Sequence, residues 1–144
     1  MVALALAATG CGAPAAAPNS AAADQLKVLG ILYGRFVAQN GGNRPANEGQ
    51  LTKFLDQQRG SWEGFGLASA KEFLASPRDG QPLVVLYGAA RGAASGPTSP
   101  YVASESAGVD GVRLAVDMRG GIESLAEADW RQHFSPAQHL SPAQ

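Results

Sequence analysis

Apolar residues recur at helical spacing in the segment that follows Ala23. They lie three and four positions apart, which places them on one face of an α-helix. Asp24 is a residue type that caps a helix amino terminus, and Asn40-Gly41-Gly42 is typical of a helix end. We therefore predict a long first helix that begins at Asp24 and ends near Asn40. Its apolar face consists of Leu26, Leu29, Tyr33, Phe36 and Val37.

Two glycines interrupt this predicted helix. Gly30 and Gly34 lie one helical turn apart, and each costs about 1 kcal/mol relative to alanine inside a helix. Such a pair permits close contact with a second helix, or with a sheet or an aromatic side chain. We favour the latter interpretation, in which the glycines let the sheet approach the helix.

A second amphipathic segment covers residues 48–58, with Asn47 as its capping residue. The glycine- and aromatic-rich residues 62–68 are interpreted as a loop, and residues 69–74 as a single helical turn. The inward-pointing residues of the second helix are predicted to be Leu51, Phe54 and Leu55.

The periodicity changes to that of strands after residue 76. An apolar run has strand length, and a later segment alternates cleanly between apolar and polar residues. Asp110-Gly111 and Arg119-Gly120-Gly121 are turn signatures between antiparallel strands. Residues 126–133, which include Trp130, are predicted to close the fold as a short helix. The predicted strands are residues 83–87, 101–105, 112–118 and 122–125.

Helices followed by a meander indicate an α+β domain over residues 24–134. We expect the long first helix and a second helix to pack on an antiparallel sheet of about four strands. A length of 144 residues fits one domain of this kind. Residues 135–144 repeat the sequence Ser-Pro-Ala-Gln, and we expect this tail to be disordered.

The amino-terminal residues have a different composition. Val2 to Ala8 form an apolar run that is too short to span a bilayer, which takes roughly 20 residues. It has the size of a signal-peptide core. Residues 12–23 carry no charge and are rich in alanine and proline, which is typical of a tether. We therefore predict a signal peptide over residues 1–10 and a tether over residues 11–23.

The stretch Ala8-Thr9-Gly10-Cys11 resembles a bacterial lipobox. The resemblance implies that Cys11 is lipidated and anchors the protein to a membrane of the cell envelope, with the domain in the periplasm or on the cell surface. Gly12 is not the aspartate of inner-membrane retention signals, which slightly favours the outer membrane. Two features depart from the pattern, because Ala8 replaces the usual leucine and no Lys or Arg precedes Cys11. The alternative is an ordinary cysteine in an alanine-rich tail.

Three further stretches resemble the globular half of type IV pilins and type II secretion pseudopilins. They are Leu32-Tyr33 with the segment from Asn40 to Pro45, the segment from Asp79 to Val85, and the segment from Val116 to Glu123. The last is similar to a hairpin of prepilin-like proteins from planctomycetes. The pilin methylation motif and its long apolar helix are absent from the sequence. The resemblance therefore implies the fold and an uncharacterised planctomycete-type lipoprotein, with an accessory secretion component as an alternative.

Charge argues against a nucleic-acid partner. The formal net charge is -1 at pH 7 and the isoelectric point is ≈ 6.1, so the chain has no basic field to attract phosphates. Cys11 is the one cysteine of the sequence, and a single cysteine cannot form a disulfide within the chain.

The sequence offers no assembled catalytic or metal site. His133 and His139 both lie in the terminal segment, where rigid ligand geometry is not expected. No nucleotide-binding or nucleophile motif is present, and Asp79-Gly80 and Asp110-Gly111 lack the ligand run of calcium loops. We therefore predict no catalytic residue, no metal, no cofactor and no identifiable small-molecule substrate.

Carboxylates on the predicted sheet suggest one alternative chemistry. Asp117 and Glu123 are candidates for neighbours across the Gly120-Gly121 turn, and paired carboxylates hydrolyse glycosides at suitable separations. With Arg113 and Arg119 nearby, a solvated charged face explains the same residues more simply. A small hydrolase therefore remains the least favoured hypothesis. The carboxylates considered are Glu105, Asp110, Asp117 and Glu123.

Trp62 and Phe65, with their flanking glycines, are candidates for an exposed partner surface, although ordinary core packing is the favoured interpretation. The favoured hypothesis is a lipid-anchored, noncatalytic envelope protein that acts as an interaction or structural module. Its expected partners are the membrane, through the lipid, and envelope or secretion-system proteins.

Overall fold

In the part of the chain that the structure describes, the fold is an α+β arrangement of four α-helices and one antiparallel sheet. A computed structural model describes residues 20–88 and 99–134, and within them the predicted fold class is confirmed. Two 3-10 turns, Arg59–Ser61 and Glu63–Phe65, follow the second helix. The elements are α1 Ser20–Gln39, α2 Glu48–Gln57, α3 Ala70–Phe73, β1 Val84–Val85, β2 Tyr101–Ser104, β3 Val112–Asp117, β4 Ile122–Ala126 and α4 Glu127–His133.

Helix α1 begins before the predicted cap. Its first residue is Ser20, so the prediction that Asp24 starts the helix and that the tether reaches residue 23 was wrong. Alanine has the highest helix propensity of all residues, and Ala22 is buried in the core, so both local and tertiary effects favour the longer helix. The predicted signal peptide, the rest of the tether and the tail 135–144 lie outside the described residues.

The two glycines of α1 bring the helix onto the sheet. A Cβ atom on Gly30 would overlap the carbonyl oxygen of Asp117, and one on Gly34 would overlap that of Met118. Only glycine leaves room for the helix backbone at this distance from β3. The interpretation that Gly30 and Gly34 let the sheet approach the helix is therefore confirmed.

The strands form a meander in the order β1-β2-β3-β4, and every neighbouring pair is antiparallel. Asp110 and Gly111 have φ angles of 52° and 75°, as a two-residue type I′ hairpin requires. Val109 and Val112 close that turn with two backbone hydrogen bonds of 3.0 Å. The predicted turn is therefore present and leads directly into β3.

The sheet is covered on both faces. Helices α1, α2 and α3 pack on one face, and α4 packs on the other, where Trp130 and Phe134 stack at 5.7 Å between ring centroids. Tyr33 of α1 donates a hydrogen bond to the carbonyl of Leu86, which fixes the first helix to the chain just after β1. The fully buried large residues are headed by Trp62, Tyr33, Phe73 and Phe134.

Candidate binding groove

A groove of about 550 Å³ runs along the outer edge of β1, between the sheet and helices α2 and α3. Its apolar floor comes from the hairpin before β1 and from β1 itself, and its polar rim comes from the two helices. The floor residues are Leu74, Ala75, Gly80, Pro82, Leu83, Val85 and Tyr87, and the rim residues are Glu48, Ser69, Lys71 and Glu72.

The backbone of β1 is open toward this groove at its centre. Val84 pairs with Ser104 of β2, and the N–H of Leu86 donates to the carbonyl of Val102 at 2.9 Å. Backbone groups alternate in direction along an antiparallel strand, so the N–H and C=O of Val85 point away from β2. Val85 is nevertheless only 6% exposed.

Both ends of this edge are closed by other parts of the chain. The N–H of Leu83 donates a hydrogen bond to the carbonyl of Leu74 at 2.8 Å, and the N–H of Gly88 donates a hydrogen bond to the carbonyl of Pro45 at 2.9 Å. These contacts shorten β1 to Val84–Val85, whereas residues 83–87 were predicted as strand. The open part of the edge is therefore confined to Val85 and Tyr87.

Tyr87 and Tyr33 keep their protons at neutral pH. Burial raises the pKa of Tyr33 to about 12. Burial, the carboxylate of Glu48 and the Tyr33 ring raise the pKa of Tyr87 well above its usual value. Tyr87 thus presents a neutral phenol on the groove floor, close to the Glu48 carboxylate.

The rim carries two carboxylates and one ammonium group. Glu72 accepts a hydrogen bond from the N–H of Ala68 at 2.9 Å, within the capping arrangement of α3. Glu48 and Lys71 take part in none of the ion pairs among the described residues. At the Tyr87 end of the groove, Glu48 is therefore a carboxylate with no cationic partner among residues 20–88 and 99–134.

A second hollow, of about 660 Å³, lies on the surface of α2. All of its lining residues come from that one helix, from Glu48 to Gln57. It lacks the opposing walls that the β1 groove has, and we therefore consider the groove the better binding site.

Trp62 lies in the core and not on a partner surface. Its side chain is 0% exposed, its ring stacks on Phe73 at 5.3 Å, and its indole N–H donates to the carbonyl of Leu55 at 2.8 Å. Burial of a large aromatic ring with a satisfied N–H is strongly favourable. The candidate partner surface at Trp62 was therefore wrong, and the favoured interpretation of ordinary core packing is confirmed for this residue. Phe65 is half-buried and packs near Phe73.

Glu105, one of the sheet carboxylates considered as candidates for hydrolysis, is fully buried. One carboxylate oxygen accepts from the hydroxyl of Ser76 at 2.9 Å and lies 3.4 Å from Nε of Arg78. The other accepts from the N–H of Leu114 at 2.9 Å. These partners compensate the cost of burying the charge.

The other sheet carboxylates stabilise turns and neighbouring side chains. Asp117 accepts from the N–H groups of Arg119 and Gly121 at 2.7 and 2.9 Å, and Glu123 accepts from the hydroxyl of Tyr101. Asp110 occupies the type I′ turn. None of the three lines the groove.

The histidines and the cysteine are not brought together in the described part of the chain. His133 ends α4 and contacts the Tyr101 ring edge-on at 5.0 Å, whereas His139 and Cys11 lie outside the described residues. Among residues 20–88 and 99–134, no group of three His, Cys, Asp or Glu side chains is placed to hold a metal ion.

The β1 groove was not predicted from the sequence. Pro82 before the apolar run of β1 is a signal typical of an edge strand, but the groove walls come from α2, α3 and β1, which are distant in sequence.

Comparisons with family models, with curated proteins and with solved structures find no match for this chain. No helix among the described residues combines the length and apolar character that crossing a bilayer would need.

Proposed function

We propose that this chain is a lipid-anchored protein of the bacterial cell envelope that acts as a noncatalytic interaction module. The observation that carries the proposal is the stretch Ala8-Thr9-Gly10-Cys11, which follows an apolar run and precedes an uncharged segment. Helix α1 begins soon afterwards, at Ser20. A lipid on Cys11 would therefore hold the domain close to a membrane through a short tether.

The β1 groove supports the interaction role. It combines an apolar floor with an open strand edge, which are features of protein-binding sites. The two carboxylates that a hydrolase would use, Asp117 and Glu123, accept hydrogen bonds from turn amides and from Tyr101. These contacts give both carboxylates a structural role.

Lipidation is tested by mass spectrometry of the mature amino terminus in bacteria that express the full chain. We expect a peptide that begins at Cys11 and carries acyl chains, and we expect the protein in the membrane fraction. The Cys11→Ser control should lose both properties. Recovery of unmodified Met1 on soluble cytosolic protein would overturn the proposal.

A pseudopilin-like accessory component is the second candidate. The observation that favours it is the packing of the 20-residue helix α1 along an antiparallel sheet through Gly30 and Gly34. Crosslinking in intact cells, followed by identification of the captured proteins, separates the two roles. Components of a secretion or pilus system among the crosslinked proteins would favour the accessory role, and other envelope proteins alone would favour the general module.

A further inference from the structure

We infer that the β1 groove binds an extended peptide segment of a partner protein, which adds to the open edge of β1 and places a basic side chain beside Glu48. This inference deepens the interaction role proposed above and rests on that role, but it is independent of the lipid on Cys11.

The backbone of Val85 presents polar groups at the outer edge of β1. Its N–H and C=O point away from β2 and have no backbone partner among residues 20–88 and 99–134, while the residue is only 6% exposed. Backbone polar groups that are both buried and unpaired are costly, and nearly all of them find partners in folded proteins. An extended peptide supplies one acceptor and one donor at the spacing of a neighbouring strand.

The open stretch of the β1 edge is short. Leu83 is bonded to Leu74 and Gly88 to Pro45, so only the stretch between these contacts is free. At about 3.3 Å per residue that stretch spans roughly 17 Å. The groove therefore accepts about five peptide residues in extended form and is too short for a long strand.

The walls of the groove include both apolar and charged side chains. Side chains of an extended peptide alternate between two sides, so residues two apart would both face the groove. One of them would meet the apolar floor at Leu74 and Leu83. The other would meet Glu48, which has no cationic partner among the described residues, beside the Tyr87 ring. An Arg or Lys fits that position through charge and through cation–π attraction.

A second copy of the chain is a poorer occupant. Pairing two β1 edges would require each two-residue strand to extend past the contacts at Leu74 and Pro45. It would also bring the Glu48 carboxylates of the two copies toward each other, and like charges repel.

The test uses the full-length chain with Cys11→Ser, which keeps the protein free of lipid. The probes are two capped synthetic pentapeptides, Ser-Val-Ser-Arg-Ser and its reverse, because the strand direction of the partner is not fixed by the groove. Backbone amide NMR shifts are followed during titration. We expect saturable shifts at Val85 and Tyr87 with at least one of the two peptides.

Two variants separate charge recognition from general attraction. Glu48→Lys should weaken binding of the Arg peptide about fivefold, as expected for reversal of a partly exposed ion pair. Asp56→Lys makes the same charge change on α2 but outside the groove, and it should leave the affinity unchanged. Equal weakening by both variants would show that net charge alone attracts the peptide, and would overturn the assignment of Glu48.

Backbone pairing is tested on the peptide, so it does not depend on how a protein variant folds. N-methylation of the backbone nitrogen of the central peptide residue removes a strand hydrogen bond. It should abolish the shifts at Val85 for one of the two peptide directions. Methylation of the nitrogen of a neighbouring peptide residue should be tolerated. Equal binding of all methylated peptides, or no shifts at Val85 with any probe, would overturn strand addition.

Concentration-dependent sedimentation without peptide would instead reveal self-association and would also contradict the inference. None of these results would affect the lipidation of Cys11, so failure of the peptide-binding proposal is distinguishable from failure of the lipid-anchor proposal.

Discussion

Glu105 directly follows β2 and joins three segments of the chain. Its carboxylate accepts hydrogen bonds from Ser76 and Leu114 and pairs with Arg78. A buried charge of this kind adds little net stability by itself, because desolvation offsets most of the attraction. Its removal is costly, however, because Arg78 would remain partly buried without a counter-ion. Glu105 therefore holds the turn after α3 in register with β3.

We predict that Glu105→Ala lowers the free energy of unfolding by about 3 kcal/mol. The loss arises from the unpaired Arg78 guanidinium and the unsatisfied Leu114 N–H. Urea denaturation measures it, and Glu63→Ala, at an exposed position, is the control that should change stability by less than about 0.5 kcal/mol. Equal midpoints for the two variants would contradict the structural role of Glu105.

At the scale of elements, the contact between α1 and β3 depends on the missing side chains of two glycines. The carbonyl oxygens of Asp117 and Met118 occupy the space that Cβ atoms of Gly30 and Gly34 would need. Any side chain there must push the helix away from β3. The cost of glycine in a helix is thus offset by close packing.

Substitution of alanine for glycine should have opposite effects in α1 and α2. Gly30→Ala is expected to destabilise the protein by roughly 2 kcal/mol or more through overpacking, although alanine favours the helix. Gly49→Ala in α2 meets only Asn47 at 3.4 Å and should stabilise by up to about 1 kcal/mol. Thermal unfolding of both variants measures the difference, and a stabilising Gly30→Ala would show that the helix is not in close contact with β3.

Elements with strong periodicity or turn chemistry were predictable from the sequence. The Asn47 cap, the β3 strand and the Asp110-Gly111 turn each depend on neighbouring residues, and all are present in the structure. The half-buried alternation expected of β3 is not observed, because helices cover both faces of the sheet and Leu114, Ala115 and Val116 are all buried. The start of α1 at Ser20 was not predicted, because it depends partly on packing of Ala22 in the core. The same reason applies to the groove, since the free edge of β1 is defined only once the strand order is known.

At the scale of the whole molecule, the three tyrosines connect the two helical layers to the sheet. Tyr33 belongs to α1 and lies in the core, Tyr87 lines the groove, and Tyr101 lies under α4 near Phe134. Burial, the hydrogen bond to Glu123 and nearby carboxylates raise the pKa of Tyr101 to about 12. All three tyrosine pKa values are thus raised above the value of 10.0 for a free tyrosine.

This distribution predicts a loss of stability at alkaline pH. Below about pH 10 the tyrosines are protonated in both folded and unfolded chains, so their contribution is fully present. Between about pH 10 and 12 the unfolded chain releases protons that the folded chain retains, so the free energy of unfolding falls, on the order of 3 kcal/mol for Tyr33 alone. Denaturation midpoints measured across this range should decrease steadily.

Tyr101→Phe is the control for the alkaline transition, because it removes one of the three ionisations and should make the decrease shallower. Phenolate absorbance gives the second measurement. If the folded protein formed phenolate with an ordinary midpoint near pH 10, the prediction would be contradicted.

The order of the elements has a consequence for the synthesis of the protein. Helix α1 is translated first, yet the backbone against which its glycines pack belongs to Asp117 and Met118, near the end of the described residues. A nascent chain on the ribosome therefore cannot bury α1 in its native place until β3 has emerged, and folds dominated by such distant contacts form slowly. The apolar face of α1 therefore lacks its sheet partner while the residues between α1 and β3 are being synthesised.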